Sequence, residues 1–119
     1  MVKIKNITNN EARAIAEYEK LLLKEFPDRL SRLILFGSKA RGDSNPDSDL
    51  DLLVVLNKNG KETSREIVML THQPIARFMV DISPIVVEEK FFKNWSPLLE
   101  HIEKDGVTLW TRRRAKRNM

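Results

Sequence analysis

The chain has 119 residues, of which 41% are hydrophobic and 32% are charged. It is long enough for one domain and apolar enough for one core, which excludes a largely disordered protein. The sequence contains no cysteine, which excludes a disulfide framework, a thiolate nucleophile and a cysteine-ligated zinc site. It shows no signal-peptide stretch and no apolar run near the ~18 residues of a membrane span. We therefore expect a cytoplasmic protein with no membrane partner.

The formal net charge of +4 is concentrated at the C-terminus. Residues 112–119 hold five of the 21 Lys and Arg side chains and no acid, which leaves 16 basic against 17 acidic residues elsewhere. We divide the sequence into a domain over residues 1–111 and a basic tail over residues 112–119. The Arg112–Arg117 run either attracts nucleic acid or an acidic partner, or is a frayed and solvated end.

Helix signals recur along the chain. Thr8-Asn9-Asn10-Glu11 has the spacing of a capping box, and the apolar residues after it recur at helical spacing, which predicts a helix over about residues 9–26. Thr63-Ser64-Arg65-Glu66 is a second candidate capping box, and Pro74 either kinks or ends the helix that it opens. Pro97 is suited to the first turn of a further helix, which the glycine nine residues later would end.

Short apolar runs between these segments predict strands. Leu33–Phe36 and Leu50–Leu56 are typical of buried strands, and Phe78–Val87 indicates a third. Pro84 lacks an N–H, so the third strand should lie at an edge or carry a bulge there. Val107–Trp110 predicts a short final strand. Helices alternate with strands, which predicts a compact α/β or α+β domain.

Two carboxylates stand at the beginning of the second strand. Asp49 and Asp51 are two residues apart, so their side chains project from one face with Cα atoms about 6.6–7 Å apart. Carboxylates so close repel unless one is protonated or a cation lies between them, and Mg²⁺ prefers such oxygen ligands. Asp81, the acid in the predicted third strand, would complete the site. An unpaired charge in an apolar strand is costly, and either a metal or an exposed strand end would remove that cost.

The segment after the first strand has the character of a phosphate-binding turn. Gly37 allows close approach of the backbone, and Ser38 offers a hydroxyl and amide N–H groups at the start of a short helix that we expect to extend to Arg41. Lys39 and Arg41 either add positive charge near a phosphate or are solvated. The P-loop motif is absent.

These residues together resemble a known family. Gly37-Ser38, ten residues and then Asp49-x-Asp51 is similar to the signature of the polymerase-β-type nucleotidyltransferase superfamily. The short chain and the Ala40-Arg41-Gly42 context resemble its minimal nucleotidyltransferase branch. The resemblance extends from the first helix to about Trp110. It implies a small mixed sheet flanked by helices and an enzyme that transfers a nucleoside monophosphate, most simply AMP from ATP.

The resemblance also implies roles for individual residues. Asp49, Asp51 and Asp81 correspond to the catalytic carboxylates that bind two Mg²⁺ ions. Gly37 and Ser38 correspond to the residues that hold the β- and γ-phosphates of the nucleoside triphosphate.

Further implications concern Arg41 and the partner. Arg41 would assist the triphosphate in a lesser role. Relatives of this size are often antitoxins encoded beside a HEPN-type ribonuclease toxin, which they silence by transferring AMP to a toxin tyrosine, as in a type VII-like system. The resemblance therefore implies a HEPN-type toxin as partner and acceptor.

Other residues of the sequence fit a functional interpretation less well. Asp43–Asp47 begins like a calcium loop, but Ser48 stands where glycine is needed and Val54 where the bidentate Glu is needed. His72 and His101 have no partner at useful spacing, so ordinary surface or core roles are expected. Tyr18 is expected to pack on the first helix, with self-modification as the alternative. Phe91, Phe92 and Trp95 are expected to pack in the core or at its edge, with a partner surface or an adenine platform as the alternatives.

Two rival functions remain open. A non-catalytic antitoxin would neutralise its partner by direct binding, so variants of the aspartates would still protect. A nucleic-acid-binding module would use the basic tail and would bind with strong salt dependence.

Overall fold

The computed structural model describes residues 6–42, 48–58, 61–90 and 97–112. This part of the chain forms a mixed sheet flanked by helices, which confirms the predicted fold class. Its strands are β1 (Leu30–Phe36), β2 (Leu50–Leu56), β3 (Ile82–Glu88) and β4 (Val107–Thr111). Its helices are α1 (Asn9–Glu25), α2 (Ser38–Arg41), α3 (Lys61–Met69), α4 (His72–Phe78) and α5 (Pro97–Asp105).

The strands lie in the spatial order β3-β2-β1-β4. β1 pairs antiparallel with β2 and with β4, whereas β2 and β3 run parallel. The two central strands have neighbours on both sides, and their residues are mostly buried. This matches the near-continuous apolar character that identified both strands in the sequence.

The sheet buries side chains on both faces, because alternate residues of a strand point to opposite sides. One face packs against α1 through residues such as Leu33 and Leu52. The other face carries Ile34, Leu53 and Val55, which pack with Ile102 of α5. Asp51 alternates with Leu50 and Leu52 and so belongs to the α5 face.

Helix α1 begins at the capping box predicted from the sequence. Thr8 Oγ1 accepts a hydrogen bond from the Glu11 N–H at 3.1 Å, and Glu11 Oε1 accepts one from the Thr8 N–H at 2.8 Å. The helix ends at Glu25, where the Phe26 N–H donates to the Leu22 carbonyl at 2.8 Å. The predicted helix over about residues 9–26 is therefore confirmed.

Tyr18 is fully buried on the inner side of α1. Its hydroxyl donates a hydrogen bond to the carbonyl oxygen of Ile67 in α3 at 2.8 Å. Burial raises the pKa of this hydroxyl well above its ordinary value. The prediction that Tyr18 packs on the first helix is confirmed, and its burial leaves the hydroxyl inaccessible as an acceptor for self-modification.

The region between β2 and β3 differs from the sequence prediction. The prediction of a second capping box is wrong, because α3 begins at Lys61 and Thr63 lies inside the helix. The Thr63 hydroxyl instead accepts a hydrogen bond from Arg29 at 3.0 Å. The chain then forms two helices rather than one. The first ends at Met69, before Pro74, and Pro74 lies in the first turn of α4, where a missing N–H costs nothing.

The third strand begins later than the predicted Phe78. Helix α4 continues to Phe78, and Met79 then takes a left-handed conformation that ends it. β3 starts at Ile82 and forms an edge of the sheet, as Pro84 predicted. The register with β2 runs without a shift past Pro84. In this parallel pairing, Leu50 of β2 lies opposite Ile82 and forms hydrogen bonds with the residues on either side of it. The backbone groups of Ile82, and of Pro84 two residues later, therefore point away from β2. The missing N–H of Pro84 thus removes no hydrogen bond between the two strands.

The C-terminal part of the described chain follows the sequence closely. Helix α5 begins at Pro97, and the Gly106 N–H donates to the Ile102 carbonyl at 2.7 Å just after the helix ends. The predicted final strand is β4. Arg112, counted with the basic tail, donates from Nε to the Leu30 carbonyl at 3.0 Å and lies 5.4 Å from the Trp110 ring. The division at residues 111 and 112 stays a prediction, since residues 113–119 lie outside the described ranges.

The backbone at Met79 is expected to be strained. It has φ 55° and ψ 47°, and its side chain is 85% exposed. A left-handed conformation costs an L residue about 1–2 kcal/mol, which glycine avoids. We expect Met79→Gly to raise the free energy of unfolding by about 0.5–1 kcal/mol in urea titrations, net of the greater freedom of glycine in the unfolded chain. Met79→Ala keeps the Cβ and should bring no gain; equal gains for both variants would contradict this.

Candidate active site

The predicted site residues meet where β1 ends and β2 and β3 begin. Phe36, the last residue of β1, pairs with Asp51 of β2. Leu50 pairs with Ile82 of β3, and the Leu50 N–H donates to the carbonyl oxygen of Asp81 at 2.9 Å. The turn after β1 and the aspartates at the starts of β2 and β3 therefore lie along one edge of the sheet.

The turn after β1 contains the short helix predicted from Gly37-Ser38. Gly37 has φ +79°, and its carbonyl accepts hydrogen bonds from the Ala40 and Arg41 N–H groups, both at 3.1 Å. The helix ends at Gly42, which has φ +88° and donates to the Ser38 carbonyl at 2.8 Å. The first two amide N–H groups of α2 precede its helical hydrogen bonds, and N–H groups in that position suit phosphate oxygens.

Gly37 packs directly against one of the carboxylates. A Cβ at this position would lie 2.4 Å from Oδ2 of Asp51 and 3.2 Å from its Cγ. No side chain fits in that space, and the positive φ angle also favours glycine. The close approach of the turn to Asp51 is therefore possible only because residue 37 has no side chain.

Asp49 and Asp51 form an acidic pair at the start of β2. Asp49 is exposed, whereas Asp51 is half-buried. Burial raises the pKa of Asp51 above its ordinary value, and the negative charge of Asp49 raises it further. The positive charge of Arg41 lowers the same pKa, so this side chain acts on the acidic pair. The arrangement holds two like charges close together with partial compensation from one cation.

The titration of Asp51 should report this arrangement. Because Asp49 raises the pKa of Asp51 and Arg41 lowers it, we expect the Asp51 midpoint to fall in Asp49→Asn and to rise in Arg41→Gln, measured by NMR of the carboxyl carbon. The pKa of Asp51 in the folded protein is higher than its ordinary value of 3.8. Its contribution to the free energy of unfolding is therefore present below pH 3.8 and is lost as the pH rises through the folded-state pKa. Midpoints unchanged in both variants would show that these groups do not interact.

Asp81 lies immediately before β3 and is exposed. The exposed strand end is one of the two explanations offered for a charge in this apolar segment. Its backbone is fixed to the start of β2 by the Leu50 hydrogen bond. Across the described ranges, no three His, Asp or Glu side chains are arranged as a metal-binding group.

Two environments were predicted for the side chain of Lys39, a position near a phosphate or exposure to solvent, and the structure shows a third. Lys39 is only 4% exposed, and its Nζ lies 2.8 Å from Oε2 of Glu11, which is 7% exposed. Lys39 is therefore neither solvated nor directed to a bound phosphate. The sequence carries no local signal of this pair, because its members are 28 residues apart and belong to separate helices.

The other residues considered in the sequence are two histidines and a group of residues outside the described ranges. His72 and His101 are exposed on α4 and α5, as expected for ordinary surface residues. The remaining candidates lie outside the described residues: Asp43–Asp47, Phe91, Phe92 and Trp95. No helix in the described part of the chain has the length and apolar character needed to cross a membrane.

Comparison with known proteins identifies the family. Residues 15–117 match the nucleotidyltransferase domain family. The chain belongs to this family. A candidate protein adenylyltransferase of Methanocaldococcus jannaschii is 36% identical over 90 residues, which cover 73% of this chain and 86% of the relative. The predictions of family membership and of nucleotidyltransferase activity are thereby confirmed.

Solved structures agree on the fold of this nucleotidyltransferase. A candidate nucleotidyltransferase from Sulfolobus solfataricus superposes with a TM-score of 0.57 at 29% identity, covering 94% of this chain and 93% of the other. A toxin–antitoxin structure with AMP-PNP superposes with a TM-score of 0.59 at 23% identity, covering 89% of this chain and 76% of the other. At that identity the second match establishes the fold alone.

Proposed function

We propose that this nucleotidyltransferase transfers AMP from ATP to a hydroxyl group of a partner protein. The observation that carries the proposal is the close packing of Gly37 against Asp51, because a turn suited to phosphates and an acidic pair suited to cations then share one site. Nucleotidyl transfer needs both, since the triphosphate must be held in place and its charge compensated. The M. jannaschii relative is named for protein adenylylation, which supports the choice of AMP and of a protein acceptor.

The phosphate-binding role falls to the turn. Gly37 brings the backbone close to the nucleotide, and Ser38 contributes its hydroxyl and the first amide N–H group of α2. Arg41 is exposed beside the acidic pair, and its charge already acts on Asp51. We assign Gly37 and Ser38 to the β- and γ-phosphates and Arg41 to a supporting contact with the triphosphate.

The acidic side chains fit Mg²⁺. Asp49 and Asp51 offer only carboxylate oxygens, and the repulsion that raises the pKa of Asp51 would be relieved by a cation between them. Mg²⁺ is commonly held by one or two carboxylates together with substrate phosphates, so a preformed three-residue group is not required. Asp49 and Asp51 would hold two ions, with Asp81 as a ligand of one of them. When bound, Mg²⁺ supplies charge stabilisation of the triphosphate and activation of the attacking hydroxyl.

The transfer step breaks the phosphoanhydride bond between the α- and β-phosphates of ATP and forms a phosphoester bond to the acceptor. The acceptor oxygen forms a bond to the α-phosphorus while the bond from that phosphorus to the bridging oxygen of the β-phosphate breaks, and pyrophosphate leaves. Asp81 accepts the proton of the hydroxyl group. It is suited to this role because it is exposed at the sheet edge, where a second protein can reach it.

The acceptor is proposed to be a toxin. A toxin–antitoxin structure with a bound ATP analogue shares the fold, which supports a partner of this kind and a nucleoside triphosphate as substrate. We propose that the partner is a HEPN-type ribonuclease encoded beside this protein, modified on a tyrosine. The cytoplasm, which supplies ATP, is the proposed location. A second candidate function is that of an antitoxin that acts by binding alone. The same structural neighbour supports it, because that neighbour is an assembly of two proteins.

A growth experiment separates the two candidates. The neighbouring toxin is induced in cells that also express the wild type, Asp49→Asn or Asp81→Asn at equal levels. Catalytic silencing predicts that the wild type restores growth and that both variants fail while still binding the toxin in a pull-down. Restoration of growth by both variants would reject the catalytic proposal in favour of masking.

A further inference from the structure

A buried ion pair joins the phosphate-binding turn to the first helix. Lys39, the second residue of α2, lies 2.8 Å from Glu11 in the first turn of α1, and their side chains are only 5% and 9% exposed. The mechanism described above uses neither residue. A nearly buried pair so close to the proposed triphosphate site therefore needs a separate explanation.

Glu11 is fixed by more than the lysine. Its Oε1 accepts a hydrogen bond from the Thr8 N–H at 2.8 Å, while its own N–H donates to the Thr8 hydroxyl at 3.1 Å. Its Oε2 is then directed to Lys39. The capping box thus holds the carboxylate in one orientation, and the ion pair extends this rigid group to α2.

The turn needs such support because α2 is very short. Four residues cannot maintain a helix by their own hydrogen bonds. Its other supports are Gly37, which admits a positive φ angle, and three backbone bonds between Gly37-Ser38 and the residues that follow. Lys39 adds a side-chain attachment to α1, which itself packs on the sheet through Ile15, Tyr18 and Leu22.

Stability alone is a poor explanation of the pair. Removing two charges from water costs several kcal/mol, and an apolar pair of similar size is often equally stable or more so. What an ion pair adds over apolar contacts is a defined distance and direction between the two groups. At this position the pair links α1 to the residue that directly follows the Gly37-Ser38 turn.

We propose that Lys39 and Glu11 are positioning residues that orient the Gly37-Ser38 turn for the triphosphate of ATP. This inference rests on the proposed function and adds two residues whose side chains touch neither nucleotide nor acceptor. Lys39 acts through the backbone of α2, and its charge is compensated by Glu11 rather than by a phosphate. The amide N–H groups of the turn are then pre-arranged, so ATP binding does not have to order them.

The test compares ATP binding with protein stability in matched variants. Lys39→Met with Glu11→Gln removes both charges while keeping the volume and one carbonyl acceptor of residue 11. Lys39→Arg keeps the ion pair. The control is Arg77→Met, which removes a cation from an exposed ion pair between α4 and Glu17 of α1 with a separation of 2.8 Å. Each protein is followed by thermal unfolding, by calorimetric titration with Mg²⁺ and ATP, and by the KM values for ATP and for the acceptor protein.

We expect the double variant to unfold within a few degrees of the wild type but to bind ATP about tenfold more weakly, with a matching rise in the KM for ATP and none in that for the acceptor. Lys39→Arg should restore ATP binding, and Arg77→Met should not alter it. Lys39→Met alone leaves Glu11 buried without its cation and is expected to unfold at lower temperature. Wild-type ATP affinity in the folded double variant would overturn the inference. Absence of AMP transfer by a wild type that binds ATP would instead reject the proposed function.

Discussion

Replacement of Asp51 by asparagine is expected to abolish AMP transfer and, at neutral pH, to stabilise the unliganded protein. The carboxylate is half-buried beside Asp49, and both features raise its pKa, so the ionised form is disfavoured in the folded chain. An amide has nearly the same shape and no charge, which removes the repulsion. It is also a poor ligand for Mg²⁺, the cation that is proposed to compensate the charge of the triphosphate, so a loss of at least about a hundredfold in kcat is expected.

Opposite changes in the two quantities make this prediction specific. A variant that lost activity through misfolding would unfold more easily, not less. The stability gain should be present at pH 7 and should disappear as the pH falls to about the ordinary Asp value of 3.8, where the wild-type carboxyl is also neutral. Chemical denaturation across this range measures it, with Asp105→Asn at the end of α5 as the matched control. Full activity in Asp51→Asn, together with Asp49→Asn and Asp81→Asn, would reject the mechanism.

Substitution of Gly37 by alanine is expected to impair both folding and catalysis. The Cβ would lie 2.4 Å from Oδ2 of Asp51, a distance that neither group can tolerate. The φ angle of +79° and ψ of −159° add a backbone cost of about 1–3 kcal/mol for any residue with a side chain. We expect a lower unfolding temperature and a loss of at least about a hundredfold in AMP transfer, because the turn and the carboxylate are displaced together.

Gly42 provides the control for this prediction. It lies in the same turn and has a φ angle of +88° in the left-handed helical region, so alanine there carries a backbone strain of about 1–2 kcal/mol. Its Cβ would meet Nδ2 of Asn6 at 2.8 Å, and Asn6 is an exposed side chain that can move aside. Gly42→Ala should therefore lower stability with a much smaller effect on transfer. Equal losses of transfer in the two variants would show that contact with Asp51 is not the cause.

Much of this site could be predicted because its signals are local. Gly37-Ser38 after an apolar run and Asp49-x-Asp51 before another specify a turn and an acidic strand start within a short stretch of chain. The position of Asp81 followed from a third strand, although that strand was predicted to begin too early. The sequence alone did not show that α4 continues to Phe78, because a left-handed Met79 has no local signature.

Features that depend on distant residues were not predictable. The partner of Lys39 lies 28 residues away, and only the packing of α1 against the start of α2 brings Glu11 to it. The contact between Gly37 and Asp51 likewise depends on the antiparallel register of β1 and β2. Local patterns indicate which residue types a site contains, whereas tertiary packing decides which charges they face.

The most direct test of AMP transfer is a comparison of two labels on ATP. Purified protein, the neighbouring toxin and Mg²⁺ are incubated with ATP labelled at either the α- or the γ-phosphate, using the wild type and Asp49→Asn in parallel. The account predicts label on the toxin only from α-labelled ATP and only with the wild type, together with release of pyrophosphate. Label from γ-labelled ATP, or no label on a toxin that wild type and variant bind and silence equally, would contradict it.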